Sequence, residues 1–484
     1  MNKSIRFGAV VSLLLIVALL VNYSVVQGMR EEEYAQDPHN SRILMELKRT
    51  NRGDIVAGDT VLAQSYRDEE TGFYQRAYPN MPWSFAPVVG YASDQFGTSQ
   101  LEATYNGELT GDSGTSSRFL HTGTEDGNKG DTVELTLDPG LQAFAFDQLA
   151  EPGYEGAVVA VRPSSGEVLA MASTPSYDPN GIANPASSED AWAQVNSNPA
   201  NPLLNHATQE QLPPGSIFKI ITTAAGLRNG YTPDSPLTGE SQIILPGTDN
   251  IPLTNYGGQA CAGGGQVPLS TAFALSCNTA FVQMGLAVGA DALRDAADRF
   301  GVGQSYDLGL PNAAGSLGEL PGGAELAQSA IGQRDVTMTA LQAAVMGATI
   351  ANKGKRMEPH VVRAVRNADG KVVKETKPVE LNEAVTEEEA ATITDLMYGS
   401  ERWSYGYDGN GFASKTGTAE HAEGAAPHVW YVAFDPAKDV AVAVVVKNGG
   451  NLGEAATGGQ VAGPIGRAVL RAAPAAPAPV EGAQ

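Results

Sequence analysis

The residues with the clearest potential for chemistry are a serine and a lysine in Pro213-Pro214-Gly215-Ser216-Ile217-Phe218-Lys219. The prolines and the glycine end one element just before a helical pattern begins, so Ser216 is predicted at a helix N-terminus with Lys219 on the same face. A serine hydroxyl is a weak nucleophile at neutral pH, and a desolvated lysine of lowered pKa is a suitable base for it. An ordinary capping serine followed by a surface lysine has the same spacing, so this pattern alone does not establish a nucleophile.

Two later segments strengthen the prediction. Ser276-Cys277-Asn278 follows a short helical stretch, Leu269 to Leu275, and places a hydroxyl and an amide two residues apart. Lys415-Thr416-Gly417-Thr418 lies in a strand-like segment, where the glycine would let a substrate backbone approach while the lysine and the hydroxyls hold a carboxylate. Each segment alone is a common turn composition. Their joint occurrence in the order S-x-x-K, S-x-N, K-T-G-T indicates an acyl-transfer site.

These three segments resemble those of the penicillin-binding proteins, the D,D-transpeptidases of the serine penicilloyl-transferase superfamily. The sequence is most similar to class B, monofunctional members, and among them to the penicillin-binding protein A group of actinobacteria. The resemblance extends over nearly the whole chain and includes Arg52-Gly53-Asp54-Ile55, Gly97 to Gly111, Leu135 to Gln142, Gly156 to Asn180 and Gly332-Gln333 with Leu341-Gln342.

The resemblance implies a role for each residue. Ser216 would attack the penultimate D-Ala carbonyl of a peptidoglycan stem peptide (D-Ala-D-Ala) while Lys219 accepts its proton, and Ser276 would relay a proton to the leaving D-alanine with Lys415 close by. Backbone N–H groups of Ser216 and Thr418 would form the oxyanion hole. An amine from a second stem peptide would then take the acyl group, and β-lactam antibiotics would remain on the serine. The implied substrate-binding residues are Asn278, Thr416, Gly417 and Thr418.

Composition limits the alternatives. A net charge of −23 leaves no basic surface for nucleic acid. The two cysteines, Cys261 and Cys277, have no histidine or further cysteine at metal-ligand spacing, so neither a metal site nor a cofactor is expected. In an oxidising compartment a disulfide between these cysteines is the favoured interpretation, and two unpaired thiols, one of them buried, are the alternative.

The N-terminus predicts a membrane anchor. Lys3 and Arg6 precede an apolar run from Phe7 to Val26, which is long enough to cross a bilayer as a helix. Positive charge before the run favours a cytoplasmic N-terminus, so the catalytic domain would be extracytoplasmic at the cell membrane. A cleaved signal peptide is the competing interpretation, although the run is long for one and Val25-Val26-Gln27 is a poor cleavage site.

Four regions are predicted along the chain: a cytoplasmic tip and anchor (1–27), a pedestal module with its linker (28–130), a transpeptidase domain (131–472) and a disordered Ala/Pro tail (473–484). The pedestal module is turn-rich, with β-like pieces at Ile55-Val56 and Val88-Val89-Gly90-Tyr91, and is typical of an extended α+β unit.

Strands are predicted in the transpeptidase domain at Val133 to Leu137, in a pair within Gly156 to Ala172, and in a hairpin of Val429 to Phe434 and Val440 to Val446. Helices are predicted between these early and late strands, at Ile217 to Leu227, Ala280 to Phe300, Thr339 to Asn352 and Thr386 to Met397. The expected fold class is α/β: an antiparallel sheet sandwiched by helices, with a helical subdomain, as in the penicilloyl-serine transferase fold.

Several other functions compete with transpeptidation. A β-lactamase would leave the pedestal module unexplained, a β-lactam sensor would need a larger cytoplasmic segment, and a bifunctional enzyme would need more residues before Ser216. A D,D-carboxypeptidase differs only in using water as the acceptor. The protein could instead be a non-catalytic scaffold that binds division or cell-wall synthesis proteins in the membrane. In that case the catalytic residues would be expected to have decayed, and none has.

Overall fold

The computed structural model of the protein describes residues 3–29, 49–111, 129–420 and 424–476. Residues 112–128 of the predicted linker and residues 477–484 of the predicted tail lie outside the described residues. The first helix, α1 (Lys3–Met29), contains a 19-residue apolar segment, Arg6–Ser24, with a mean hydropathy of 2.2 and no buried residue. By length and composition this segment is able to cross a bilayer.

Short strands and helices make up residues 49–111 of the pedestal module. They are β1 (Ile55–Ala57), β2 (Thr60–Arg67), β3 (Tyr74–Ala77), α2 (Pro82–Val89), β4 (Ala92–Ser93), β5 (Gly97–Thr98), α3 (Gln100–Thr104) and α4 (Asn106–Thr110). The β prediction at Ile55-Val56 is confirmed, but that at Val88-Val89 is wrong because both residues belong to α2. Pro82 favours the helix start, and every residue from Ser84 to Val89 is buried, so the run shows no helical period in the sequence.

A buried ion cluster joins three segments of the pedestal module. Arg52 Nη2 lies 2.7 Å from Glu102 Oε2, and Arg76 Nε lies 2.6 Å from Glu102 Oε1. Tyr78 donates its hydroxyl to the same carboxylate at 3.3 Å. Burial raises the pKa of Glu102, but the charges of Arg76 and Arg52 outweigh it and the net pKa is lowered. The cluster therefore holds a charged carboxylate in the interior.

The remaining residues form a larger set of elements. The strands are β6 (Thr132–Leu135), β7 (Gly156–Val161), β8 (Val168–Thr174), β9 (Pro236–Thr238), β10 (Gln242–Ile244), β11 (Pro252–Thr254), β12 (Gln266–Pro268), β13 (Lys355–Met357), β14 (Val362–Arg366), β15 (Val372–Glu375), β16 (Glu380–Glu383), β17 (Ala413–Ala419), β18 (His428–Asp435) and β19 (Val440–Val446). The helices are α5 (Pro139–Ala150), α6 (Pro179–Ala183), α7 (Ser188–Asn196), α8 (Lys219–Arg228), α9 (Leu269–Ala274), α10 (Asn278–Arg299, interrupted at Gly289), α11 (Gly323–Ser329), α12 (Ala340–Ala351), α13 (Glu387–Trp403) and α14 (Ala462–Ala472).

The central sheet is antiparallel and has five strands in the order β17-β18-β19-β7-β8. Strands β7, β8 and β19 are buried along their whole length, because α5 and α14 cover one face of the sheet and α12 covers the other. Each fully buried valine here stabilises the fold by roughly 1.5 to 3 kcal/mol. The predicted sheet between helices is confirmed, as are the predicted strand pair and C-terminal hairpin.

Capping interactions fix the starts of two helices near this sheet. Thr386 Oγ1 accepts from Glu389 N at 3.2 Å, and Glu389 Oε2 accepts from Thr386 N at 2.8 Å, so the capping box at the start of α13 has both of its hydrogen bonds. A second capping box, Thr339 with Gln342, begins α12. Such caps stabilise a helix by about 1 kcal/mol. Helix α13 packs against β17, the edge strand of the central sheet.

A six-stranded sheet crosses the predicted boundary near Asp131. Its order is β15-β14-β6-β1-β2-β3, so strands on both sides of residue 131 share one hydrogen-bond network. Ile55 of β1 is opposite Val133 of β6 in parallel register, and Val365 of β14 pairs with Val133 from the other side. The pedestal module is therefore continuous with the rest of the protein.

Candidate active site

A cavity of about 980 Å³ opens between strand β17, the C-terminal end of α13 and the segments that lead from β11 to the start of α10. Five of the residues predicted from the sequence line it: Ser216, Ser276, Asn278, Thr416 and Thr418. Lys219, Lys415 and Gly417 are buried directly behind the cavity wall. The structure therefore brings all three sequence segments to one place.

Ser216 lies in a 3₁₀ turn, Gly215–Phe218, which leads directly into α8. The predicted position at a helix start is confirmed. Gly215 has a φ of 53°, and a Cβ there would lie 2.8 Å from Thr418 O. The Gly215 N–H donates to Gly332 O at 2.8 Å. Glycine is thus required at position 215, where the turn that carries Ser216 meets strand β17 and the segment that contains Gly332.

Lys219 contacts the S-x-N segment. Its Nζ donates to Ser276 O at 2.8 Å and to Asn278 Oδ1 at 2.8 Å, and lies 3.2 Å from Ser276 Oγ. The Lys219 backbone N–H donates to Ser216 O, but among the described residues no hydrogen bond joins the Lys219 amine to the Ser216 hydroxyl. Catalytic hydrogen bonds often tighten only when substrate binds, so this arrangement remains compatible with a general-base role.

Ser276 lies between two amines. Its Oγ is 3.2 Å from Lys219 Nζ and 2.9 Å from Lys415 Nζ. A hydroxyl can accept from one amine while donating to the lone pair of the other, so protons can move along this row. Ser276 also has a φ of 59°, which is uncommon for a residue other than glycine. Such strain is often found at functional sites.

Burial lowers the basicity of both lysines. Desolvation lowers the pKa of Lys415 to about 7. Desolvation, with a smaller contribution from the charge of Lys415, lowers the pKa of Lys219 well below its ordinary value. Their neighbours include aromatic rings, with Lys219 Nζ 5.3 Å from the centre of Phe281 and Lys415 Nζ 5.8 Å from that of Phe273. A neutral amine suited to accept a proton is thereby available near neutral pH.

The K-T-G-T segment occupies β17 as predicted. Side chains alternate along the strand, so Thr416 and Thr418 are partly exposed while Lys415 and Gly417 are buried. A Cβ at Gly417 would lie 2.8 Å from Pro214 O. The sequence predicts that this glycine admits a substrate backbone, but the close approach seen here is that of the protein's own turn before Ser216.

The two cysteines form a disulfide in the structure, with Cα atoms 5.8 Å apart. Cys277 is the middle residue of the S-x-N segment, between Ser276 and Asn278. Cys261 belongs to a loop close to Tyr256 and Gly257, which line the cavity. The disulfide therefore ties the S-x-N segment to one wall of the cavity.

Several cavity residues were missed by sequence reasoning. They come from the end of helix α13 with the loop after it and from the segment between β19 and α14, and they are Trp403, Ser404, Tyr405, Thr457, Gly458 and Gly459. Gly458 donates its N–H to Thr418 Oγ1 at 3.3 Å. Trp403 is 71% exposed, but this exposure is a property of the fold, so the sequence offers no local signal for this wall.

Fold and site together define a serine acyl-transferase in which the turn that carries Ser216, the S-x-N segment and the K-T-G-T strand surround one cavity. The chain belongs to the penicillin-binding protein transpeptidase family, whose transpeptidase domain matches residues 156–471. Residues 52–133 match the penicillin-binding protein A dimerisation domain.

The relatives are similar over almost their full length. The chain is 41% identical to the peptidoglycan D,D-transpeptidase PbpA of Mycolicibacterium smegmatis, covering 98% of this chain and 99% of that protein. It is equally identical to PbpA of Mycobacterium tuberculosis, with the same coverage. The ceftriaxone acyl-enzyme structure of penicillin-binding protein A from M. tuberculosis, also 41% identical, superposes with a TM-score of 0.84, covering 89% of this chain and 99% of that one. Its penicillin G acyl-enzyme complex gives a TM-score of 0.81 at 40% identity, covering 87% of this chain and 99% of that one.

Proposed function

We propose that this chain is a peptidoglycan D,D-transpeptidase that cross-links stem peptides through an acyl-enzyme on Ser216 and binds β-lactams covalently at the same atom. The observation that carries the proposal is the position of Ser276 Oγ, between the amines of Lys219 and Lys415 in the cavity that also contains Ser216. Membership of the transpeptidase family and the acyl-enzyme complexes of the M. tuberculosis relative support it.

Acylation begins when Ser216 Oγ attacks the carbonyl carbon of the penultimate D-Ala and its proton passes to the neutral Lys219 amine. Backbone N–H groups of Ser216 and Thr418 stabilise the oxyanion. The bond between carbonyl carbon and nitrogen breaks, the leaving D-alanine amine takes a proton through Ser276 and Lys415, and an ester remains on Ser216.

Substrate binding is assigned to residues around this centre. Thr416 and Thr418 bind the terminal carboxylate, Asn278 binds the substrate amide, and Gly417 keeps the strand against the nucleophile turn. In the second half-reaction an amine of another stem peptide attacks the ester, forms the new amide and releases the serine hydroxyl. No cofactor takes part in these steps.

The chain is further proposed to divide at residues 28, 131 and 473 into anchor, pedestal module, transpeptidase domain and tail. Helix α1 would cross the cytoplasmic membrane once, with Lys3 and Arg6 on the cytoplasmic side and the cavity outside. Partners in cell division or cell-wall synthesis would then meet the pedestal module near the membrane.

The test is intact-protein mass spectrometry after incubation with benzylpenicillin, followed by peptide mapping. A stable adduct on Ser216, absent from Ser216→Ala, is expected. The same protein should then join a donor pentapeptide to an added acceptor amine. Release of D-alanine without transfer would indicate a D,D-carboxypeptidase. Folded protein that forms no adduct would contradict the nucleophile assignment and favour a scaffold.

A further inference from the structure

Behind strand β17 lies a buried carboxylate that the steps above do not use. Glu401, near the end of α13, is 1% exposed. It accepts from Arg467 Nε at 2.6 Å, from Asn410 Nδ2 at 2.9 Å, from the Tyr431 hydroxyl at 2.9 Å and from Ser414 Oγ. An ionised carboxylate has about four lone-pair positions for donors, so Glu401 is fully satisfied by protein side chains.

Arg467, on the C-terminal helix α14, connects this carboxylate to the cavity wall. It is 3% exposed. Besides the bond to Glu401, its Nη1 donates to Tyr405 O at 2.8 Å and its Nη2 donates to Ser404 Oγ at 3.0 Å. Ser404 and Tyr405 both line the cavity. The planar guanidinium has its donors in fixed directions, so it sets the loop relative to Glu401.

The same carboxylate reaches β17 from the side opposite the lysine. Ser414 directly precedes Lys415, and successive side chains of a strand project to opposite faces. The bond from Ser414 to Glu401 therefore holds the strand on one face, while Lys415 Nζ meets Ser276 Oγ at 2.9 Å on the other. A shift of the strand would change that distance directly.

We propose that Glu401 and Arg467 are positioning residues for acylation. Through Ser414 they fix β17, and with it Lys415, relative to Ser276. Through Ser404 and Tyr405 they fix the wall of the cavity that receives the ligand. The proposal deepens the function given above and rests on acylation of Ser216.

A merely structural role is the alternative. Buried ion pairs add little net stability compared with apolar packing, although removing one partner is costly. The pedestal module provides a matched case, because Glu102 is as buried as Glu401 and is held by Arg52, Arg76 and Tyr78. None of these three residues, nor Glu102 itself, lines the cavity. Changes to the two clusters can therefore separate stability from positioning.

The experiment measures acylation by benzylpenicillin in the full chain, resolved into the apparent dissociation constant and the acylation rate constant, together with the melting temperature. Ser414→Ala removes the strand's bond to Glu401 while leaving Arg467 paired. We expect the acylation rate constant to fall about tenfold or more with little change in the dissociation constant, because small misplacements of catalytic groups cost up to ~100-fold. Arg467→Lys keeps the positive charge but loses the guanidinium hydrogen bonds to Ser404 and Tyr405 in the cavity wall. The dissociation constant for benzylpenicillin should therefore rise.

The matched control is Tyr78→Phe, which removes the hydroxyl that donates to Glu102 and accepts from the Ala92 N–H. It should lower the melting temperature at least as much as Ser414→Ala and leave both kinetic constants unchanged. If Arg467→Lys does not fold, Ser414→Ala decides alone. Kinetic constants equal to those of the wild type in Ser414→Ala would overturn the proposal, provided that the wild type is acylated. A wild type without an adduct would instead contradict the proposed function.

Discussion

Ser276 combines two properties that rarely coincide in one residue. Its hydroxyl connects the two lysine amines, and its backbone has a φ of 59°. A left-handed backbone costs a non-glycine residue roughly 1 to 2 kcal/mol. The protein therefore retains a strained serine where a glycine would fit the backbone better, which is expected if the hydroxyl is needed for proton transfer.

We predict that Ser276→Gly and Ser276→Ala have equally slow acylation, reduced about 100- to 10,000-fold, because both lose the hydroxyl between the amines. Their stabilities should differ, since only glycine relieves the strain. The free energy of unfolding of Ser276→Gly is expected to exceed that of Ser276→Ala by about 1 kcal/mol. Urea unfolding measures the difference, and equal values would show that the backbone is not strained there.

The buried lysines predict a specific dependence of stability on pH. The pKa of Lys415 is about 7 in the folded protein, against an ordinary value of 10.5, so the folded state binds fewer protons between these limits. Burying Lys415 therefore costs no folding free energy above pH 10.5, where the amine is neutral in the unfolded chain as well. The cost grows as pH falls below that value and reaches its full size below about pH 7.

In Lys415→Met this contribution is lost, while Lys219 retains a pKa lowered by burial. The free energy of unfolding of the wild type should therefore rise relative to that of Lys415→Met by about 1.4 kcal/mol per pH unit between about pH 7.5 and about pH 10. Denaturant unfolding at both ends of this range measures the slope. If the free energies of unfolding of the two proteins instead changed in parallel with pH, Lys415 would have to remain protonated in the folded protein.

At the scale of elements, the site depends on how closely β17 approaches the turn that carries Ser216. A Cβ on Gly417 would lie 2.8 Å from Pro214 O and 3.1 Å from Trp430 Cβ. Trp430 Nε1 in turn donates to Pro213 O at 2.9 Å. Strand and turn thus form one packed unit in which neither can move alone.

We predict that Gly417→Ala displaces β17 and lowers the rate of acylation by up to about 100-fold, the loss expected when reacting groups are displaced by about 1 Å. The control is Gly411→Ala, just before the same strand, where a Cβ would meet no atom within 4 Å. That variant should be acylated at the wild-type rate. The kinetics of β-lactam adduct formation distinguish the two, and a fully active Gly417→Ala would contradict the packing argument.

Elements with a clear period or cap could be predicted from the sequence, whereas those defined by tertiary packing could not. The start of α13 and the hairpin of β18 and β19 have local signals, since each depends on residues a few positions apart. The end of helix α2 has the sequence pattern of a strand because burial on all sides removes the helical period. The wall formed by Ser404 and Tyr405 has no local signal, because Arg467 holds it from more than 60 residues away.

At the scale of the whole molecule, the six-stranded sheet joins the pedestal module and the catalytic domain into a single structure. Strand β6 pairs with β1 on one side and with β14 on the other. Removing residues before Asp131 would expose one edge of β6 and the side chains of Val133 and Leu135, which are buried in the complete chain. An exposed apolar edge promotes aggregation.

We predict that a chain beginning at Asp131 is less soluble and melts at a lower temperature than one beginning at Arg49, although both contain every active-site residue. The physical reason is the loss of the pairing between β1 and β6 and of the apolar contacts beneath it. Size-exclusion chromatography and thermal unfolding followed by circular dichroism make the comparison. Equal melting temperatures would show that the catalytic domain folds independently.

The shared sheet also constrains how such proteins recombine. A crossover between two related genes at residue 131 would join β1 of one parent to β6 of the other, and Ile55 would then face a foreign residue in place of Val133. Chimeras should tolerate exchange only when β1, β2, β3, β6, β14 and β15 come from the same parent. Active recombinants are therefore expected to inherit these six strands together, even though the strands are spread over more than 300 residues of sequence.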